Sequence, residues 1–399
     1  MSLLLKRVDA VEPDISRVWK QIHQHPELGM ELYETAALIE AELAEHCPEV
    51  KVKRVDKSGV WVELEGTAEG DKDNILMLRG DMDALPIQED NDLPYRSEVP
   101  GVMHACGHDV HGSSLLGAVR VLSQYRDQFA GKIWFFFQPG EEVLGGARAF
   151  LADPDIDFAR VRACAACHVL GFVDVGKVSV RYGTHLASPD NLSFRIRGRS
   201  AHSSTPNETV DAVVVAAELI LKLQVLISRE VNPADMVSMT LGHIAAGDPA
   251  RPGWVADDVV IKGGLRSVNP ATRTRLLERI EAICDGLSTA TRAHIEFTYE
   301  NQCPALVNDP RMCDVACAAV KKSLGDEALV LADSAALAAE DFAFFTQHCP
   351  GIHMSIGCKT PGTVPVPAHC PQFYTHPGAV RTAIAAYSAF ALEYFGVEY

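Results

Sequence analysis

The sequence predicts an α/β protein: a large domain whose mainly parallel sheet is covered by helices, interrupted by a smaller inserted βαββαβ domain. Three observations lead there. Segments 75–78, 133–137 and 163–169 are continuously apolar, which suits strands buried on both faces of a parallel sheet. Amphipathic helical stretches lie between them, around 32–43 and 115–125, as a layered α/β domain needs. Beyond Ser188 the texture changes to period-two alternation: Leu192, Phe194 and Ile196; Val237, Met239 and Leu241; Val259 and Ile261; Ile295, Phe297 and Tyr299. That pattern belongs to a sheet with one wet face.

Two helical patterns interleave with the alternating strands. Val210, Val213, Val214, Ala217 and Leu221 form one apolar stripe, read as the buried face. Leu276, Leu277, Ile280, Ile283, Cys284 and Leu287 form the other, behind an Asn269-Pro270 start that supplies an N-cap and a first-turn proline. The order β-α-β-β-α-β over about 189–299 is the split βαβ arrangement. Helical stretches return at 310–324 and 379–395, with an apolar strand candidate at 352–356. At 399 residues, two domains are the natural expectation. The larger takes 1–186 and 300–399 and the inserted one 187–299.

Composition narrows the function classes. A net charge of −17 opposes nucleic-acid partners and anionic membranes, because phosphate binding needs clustered Lys and Arg. The longest apolar stretches are broken by charges, such as Glu218 and Lys222, so no membrane span is expected. The first residues have too short an apolar run for a signal peptide. A cytoplasmic location follows as an expectation, with the eleven cysteines as free thiols apart from one recruited for metal.

Four clusters carry the chemistry. Arg79-Gly80-Asp81-Met82-Asp83 follows one apolar strand, and Gln138-Pro139-Gly140-Glu141-Glu142 follows the aromatic one. His104-Ala105-Cys106-Gly107-His108-Asp109-Val110-His111 leads into a helix, and His168 ends the third strand. Ligands gather at the carboxyl ends of strands in an open α/β sheet, so the four should converge. Adjacent charges near a buried strand end are expensive unless used. Thiol, imidazole and carboxylate together suit zinc or a similar borderline metal. Cys164-Ala165-Ala166-Cys167-His168 also matches the c-type haem attachment pattern. Its apolar, strand-like setting makes the cysteines core residues and His168 the functional member.

Taken together, His25-Pro26-Glu27-Leu28-Gly29, Gly80 to Pro86, Met103 to Asp109 and Gln138 to Glu142 resemble the M20 metallopeptidase superfamily. More narrowly, they are similar to its amidohydrolase branch of aminoacylases and hippurate hydrolases. Gly198-Arg199-Ser200-Ala201-His202, Glu340-Asp341-Phe342 and His369-Cys370-Pro371 fit as well. The resemblance implies hydrolysis of N-acyl-L-amino acids, with acyl-glutamine-like compounds among the candidates, by a catalytic domain carrying a lid that also dimerises. It implies metal ligands Cys106, His108, Glu142, His168 and His369, with Cys106 bridging if two ions bind. Glu141 would be the base and Asp83 an acidic neighbour of the ligands, a place Asp81 or Asp109 could also fill. His202 would steady the oxyanion and Arg266 would hold the substrate carboxylate. The cofactor implied is Zn2+, one or two ions, with Mn2+ or Co2+ as alternatives.

Two departures stand out. The usual His-Ser-Pro reads His369-Cys370-Pro371, leaving His376 as an alternative ligand, and a lid segment that often carries Asn-x-Ile-Pro-Asp reads Gly253-Trp254-Val255-Ala256-Asp257. Competing readings keep the metal but cleave small peptides, as a dipeptidase or carboxypeptidase, or use Cys106 and His108 as a cysteine hydrolase. A catalytically silent metal-bound binding protein is the non-enzymatic alternative.

Overall fold

The computed structural model describes residues 2–399. Its larger compact unit comprises Met1–Gly183, Val307–Ser334 and Glu340–Tyr399. Among the described residues an eight-stranded sheet runs in the order Lys51–Val55, Gly59–Glu65, Lys132–Gln138, Ile75–Asp81, Val161–Asp174, Gly351–Lys359, Val178–Val180 and Leu329–Leu331. The four central members, from Lys132–Gln138 to Gly351–Lys359, are mutually parallel. Three of them hold the continuously apolar segments, and the reason is burial: Ile75–Asp81 is buried at every residue and Lys132–Gln138 at all but its first.

Helices Leu3–Gln24, His108–Ser123 and Gly378–Tyr394 pack on one another against this sheet. The first presents Leu4, Val8, Val11, Ile15, Val18, Trp19 and Ile22 inward and keeps Pro13 on its exposed side. The second begins at His108, seven residues before the apolar stretch read from the sequence. Its first turn therefore carries His108, Asp109 and His111, while His104 to Gly107 lead into it.

The smaller unit comprises Thr184–Leu306 and Ala335–Ala339. Its four-stranded antiparallel sheet has the order His294–Asn301, Ser188–Arg197, Asp258–Ser267, Val237–Ala246. Helices Ala212–Glu230 and Pro270–Thr291 complete a βαββαβ unit, the second capped by Asn269 as the Asn-Pro pair predicts. Backbone bonds from Ala187 to Ala338 and from Ala336 to His185 tie the short return segment to this unit.

One sequence expectation is overturned here. The stripe through Val213, Val214, Ala217 and Leu221 faces outward; Val214 and Leu221 are 63% and 67% exposed. The buried face is Ala212, Val215, Ala216, Leu219, Leu223 and Leu226. Both faces of this helix are apolar, so periodicity alone cannot say which one packs.

Candidate metal centre

Parallel strands bring their carboxyl ends to one edge of the sheet. Asp81 closes Ile75–Asp81 and pairs in register with Gln138, which closes Lys132–Gln138. Asp83 follows the first strand, and Glu141 and Glu142 follow the second. His168 lies two residues beyond the last position, Ala166, at which its strand pairs with Ile75–Asp81, and side chains of Tyr387 and His111 take the next amides, Cys167 and Val169. His108 enters from the helix start, where Gly107 adopts φ +85°. A Cβ at Gly107 would come 2.2 Å from Val169, so glycine also permits this close approach of helix to strand.

These segments bring together two overlapping ligand sets. Cys106, His108 and His168 have ligand atoms within 4.8 Å of one another, and so do Cys106, Glu142 and His369, with Cys106 common to both. Cys106 Sγ is 3.4 Å from His168 Nε2, and His369 Nε2 is 3.1 Å from Glu142 Oε1. His369 holds a positive φ of +63°, an uncommon backbone state for a residue with a side chain and one that clusters at functional sites. His376, the other candidate, accepts the Gly378 N–H at 3.0 Å on Nδ1, at the start of the C-terminal helix.

The donor atoms fit a cation. His108 Nε2 is buried and has no hydrogen-bond partner. It faces Asp81 at 3.7 Å and Glu141 and Glu142 at 4.0 Å each, too far for hydrogen bonds and suited to an ion between them. His108 Nδ1 lies 3.3 Å from Asp83 Oδ1, leaving Nε2 to point at the carboxylates. Asp83 also accepts the Glu141 and Glu142 N–H groups, both at 3.0 Å, one on each oxygen. One buried carboxylate thus aims an imidazole and fixes the Glu-Glu turn.

Electrostatics separate the groups. Burial, reinforced by the charge of Glu340, holds the Glu141 carboxyl well above the usual carboxylate range. Burial also raises Glu142, but hydrogen bonding to His369 and the charge of His108 overcome it and leave that carboxyl lowered. Burial keeps His168 neutral by pushing its pKa well down, as a ligand requires. It pushes the Cys106 thiol up to about 12, even beside His108. A thiol so held needs more positive charge than one imidazole to ionise, which weighs against the cysteine-hydrolase reading.

The family model for peptidase family M20/M25/M40 matches residues 77–393. The chain belongs to that family. Within it, this M20 chain is a metal-dependent amidohydrolase. It is 33% identical over 346 residues to N-acetyl-L-cysteine deacetylase of Bacillus subtilis, covering 86% of this chain and 80% of that one. It is also 33% identical over 347 residues to hippurate hydrolase of Campylobacter jejuni, covering 87% and 88%. Among solved structures it resembles the Bacillus subtilis YXEP protein, a dinuclear metal-binding peptidase of the M20 family. That likeness has a TM-score of 0.85 at 28% identity and covers 98% of this chain and all of the other.

The remaining sequence-predicted residues of this M20 protein divide clearly. Asp81 binds Arg79 and His111, and Asp109 binds Trp19 and His23, so neither does what Asp83 does for His108. His202 and Arg266 belong to the smaller unit. His202 is exposed, pairs by backbone with Trp254 and contacts Ser204 Oγ at 2.7 Å. Arg266 donates to the Leu337 carbonyl at 2.7 Å. Cys164 and Cys167 are buried in their strand.

Sequence reasoning missed a buried network behind Glu141. Arg79, fully buried, pairs with Asp81 at 2.6 Å, Asp341 at 2.8 Å and Glu340 at 2.9 Å. It also donates to Gln138, whose amide reaches both Asp341 oxygens. The available signal was an arginine at the end of an otherwise apolar strand. Its partners at 340 and 341 were visible only as a motif without a role.

Proposed function

We propose that the protein hydrolyses the amide bond of N-acyl-L-amino acids, with Glu141 as general base and Cys106, His108, Glu142, His168 and His369 holding zinc, as one or two ions. The observation that carries this is the Glu141-Glu142 turn locked on Asp83. It holds both carboxylates 4.0 Å from His108 Nε2, and Glu142, paired with His369, is taken as the ligand and Glu141, whose carboxyl is raised, as the base. Zinc held there supplies Lewis acidity, polarising the scissile carbonyl and acidifying water towards a pKa of ~7. Glu141 would take a proton from the attacking water and return it to the leaving amine, a task its raised affinity for protons suits. His202 and Arg266 keep, within this proposal, the roles of oxyanion donor and carboxylate anchor that the family resemblance implies.

The smaller unit is assigned as the lid and as the contact for a homodimer. Val213, Val214, Leu221 and Val225 leave an exposed apolar helix face, and Val237–Ala246 is the sheet's edge strand. An apolar patch beside a strand edge is the kind of surface a two-fold contact covers. No described helix is long and apolar enough to cross a membrane, and we place the enzyme in the cytoplasm.

The deciding experiment measures amine release from a panel of N-acyl amino acids, acylglutamine included, by native, chelator-stripped and zinc-restored protein, and by Glu141→Gln. Activity lost on stripping, regained with zinc and absent in the variant at full metal content supports the assignment. Cleavage of dipeptides alone moves it to the peptidase reading. Silence on every substrate leaves a metal-bound binding protein.

A further inference from the structure

His111 lies one helical turn beyond His108 and takes no place in either ligand set, because both its ring nitrogens are engaged. Its Nε2 accepts the Val169 N–H at 2.8 Å. A ring nitrogen that accepts an amide proton carries none of its own, so the proton sits on Nδ1, which donates to Asp81 Oδ1 at 2.5 Å. The other Asp81 oxygen takes Arg79 at 2.6 Å. All three side chains are buried: Arg79 and Asp81 entirely, His111 to within 1%.

Val169 is held at both of its backbone polar groups. Its N–H is fixed by His111, and its carbonyl accepts from His168 Nδ1 at 2.7 Å. That second bond places the His168 proton on Nδ1 and leaves the Nε2 lone pair, 3.4 Å from Cys106 Sγ, for a metal. The Val169 side chain is confined by Gly107 on the helix that carries His111.

We propose that His111 is a positioning residue for the metal centre: braced by Asp81 and Arg79, it fixes Val169 and through it the tautomer and aim of His168. This rests on the reading of His168 as a ligand. Without the His111 acceptor, the buried Val169 N–H goes unpaired, the strand relaxes at that residue and the carbonyl leaves His168. The Val169 carbonyl is the partner directly behind His168, the kind of contact whose loss lowers metal affinity by about 10–100-fold, and His111 acts through it.

Two substitutions separate the brace from bulk. His111→Gln puts an amide oxygen near the position of Nε2 and still accepts from Val169. His111→Asn reaches only to the position of Nδ1, so it can donate to Asp81 but leaves Val169 unpaired. Zinc affinity is read on the full-length protein by competition with a chromogenic chelator, with the visible absorption of the cobalt-substituted protein as a second readout. The expected result is roughly 10–100-fold weaker zinc binding and an altered cobalt spectrum for His111→Asn, with both near wild type for His111→Gln. Wild-type affinity and spectrum in His111→Asn, or equal weakening in both variants, would overturn the proposal. His168→Ala is the control: unchanged zinc affinity there would remove His168 from the ligand set. Weakened binding there with both His111 variants intact would overturn only the brace.

Discussion

Asp83→Asn tests the construction of the centre most directly. The carboxylate is 1% exposed and accepts on both oxygens: the Glu141 N–H and His108 Nδ1 on Oδ1, the Glu142 N–H on Oδ2. Asparagine keeps the shape and one acceptor, but it must turn an NH2 towards the other amide. At best it loses one charge-assisted bond, worth about 1.5–3 kcal/mol. At 1.4 kcal/mol per factor of ten, that is roughly a 10–100-fold loss, the range known for partners behind metal ligands. The loss should fall on metal binding, because the orphaned amide belongs to Glu142, a ligand in our proposal, and the weakened bond orients His108. Zinc titration against a competing chelator measures it, and urea unfolding of the stripped protein reports fold damage separately. A variant that binds zinc as tightly as wild type would refute the account of how the Glu-Glu turn is held.

Three further outcomes follow from the same coordinates. Arg79→Lys should lower unfolding free energy by about 3 kcal/mol in urea, because an ammonium cannot span Asp81, Glu340, Asp341 and Gln138 as the guanidinium fork does. His23, between Asp109 and Glu89, has its pKa raised to about 9, the carboxylates outweighing the burial that opposes its charge. Its folded value lies above the ordinary 6.5, so its contribution is full below that pH and lost as pH rises through 9. The loss is on the order of 3 kcal/mol, and His23→Gln should flatten that alkaline fall in unfolding midpoint. Leu221→Glu, on the exposed helix face, should leave the fold unchanged and halve the mass seen by light scattering; an unchanged mass would remove this face from the contact.

What could be read in advance was what burial writes into local sequence. The central strands announced themselves because both faces are covered, leaving 75–78 and 133–137 without a polar residue. Glu141 and Glu142 stood out because they follow such a strand, and Cys106 and His108 because metal-binding side chains crowd 104–111. The helix Ala212–Glu230 was read inside out for the opposite reason: Val213, Val214 and Leu221 are as apolar as the face that packs. The stripe of Leu3–Gln24 was present in the sequence and was not singled out; Pro13 interrupts it, tolerated on the exposed side. Arg79 and Asp341 are separated by 262 residues, and no periodicity in a single sequence pairs groups so far apart.

The buried charges support our assignment of the proton transfer to Glu141 rather than to its neighbours. Asp83 is saturated by amide N–H groups and His108. Asp81 is held by Arg79 and His111, while Asp341 takes Arg79, Gln138 and the Ala147 N–H. Against its burial, the charges of Arg79, His108 and His111 hold Asp81 well below the usual carboxylate range, whereas burial and the charge of Glu340 push Asp341 up to about 7. Glu142 has His369 beside it. Glu141 faces the same buried region with Glu340 and Asp341 close by, so its negative charge is opposed by burial and by its neighbours alike. Such a group gains most from taking up a proton, and within 4.0 Å it has an unpartnered imidazole nitrogen with ligand geometry. Donor-bound carboxylates such as Asp83 build the frame, and the one opposed by burial and by its neighbours is the group to which we assign the proton transfer.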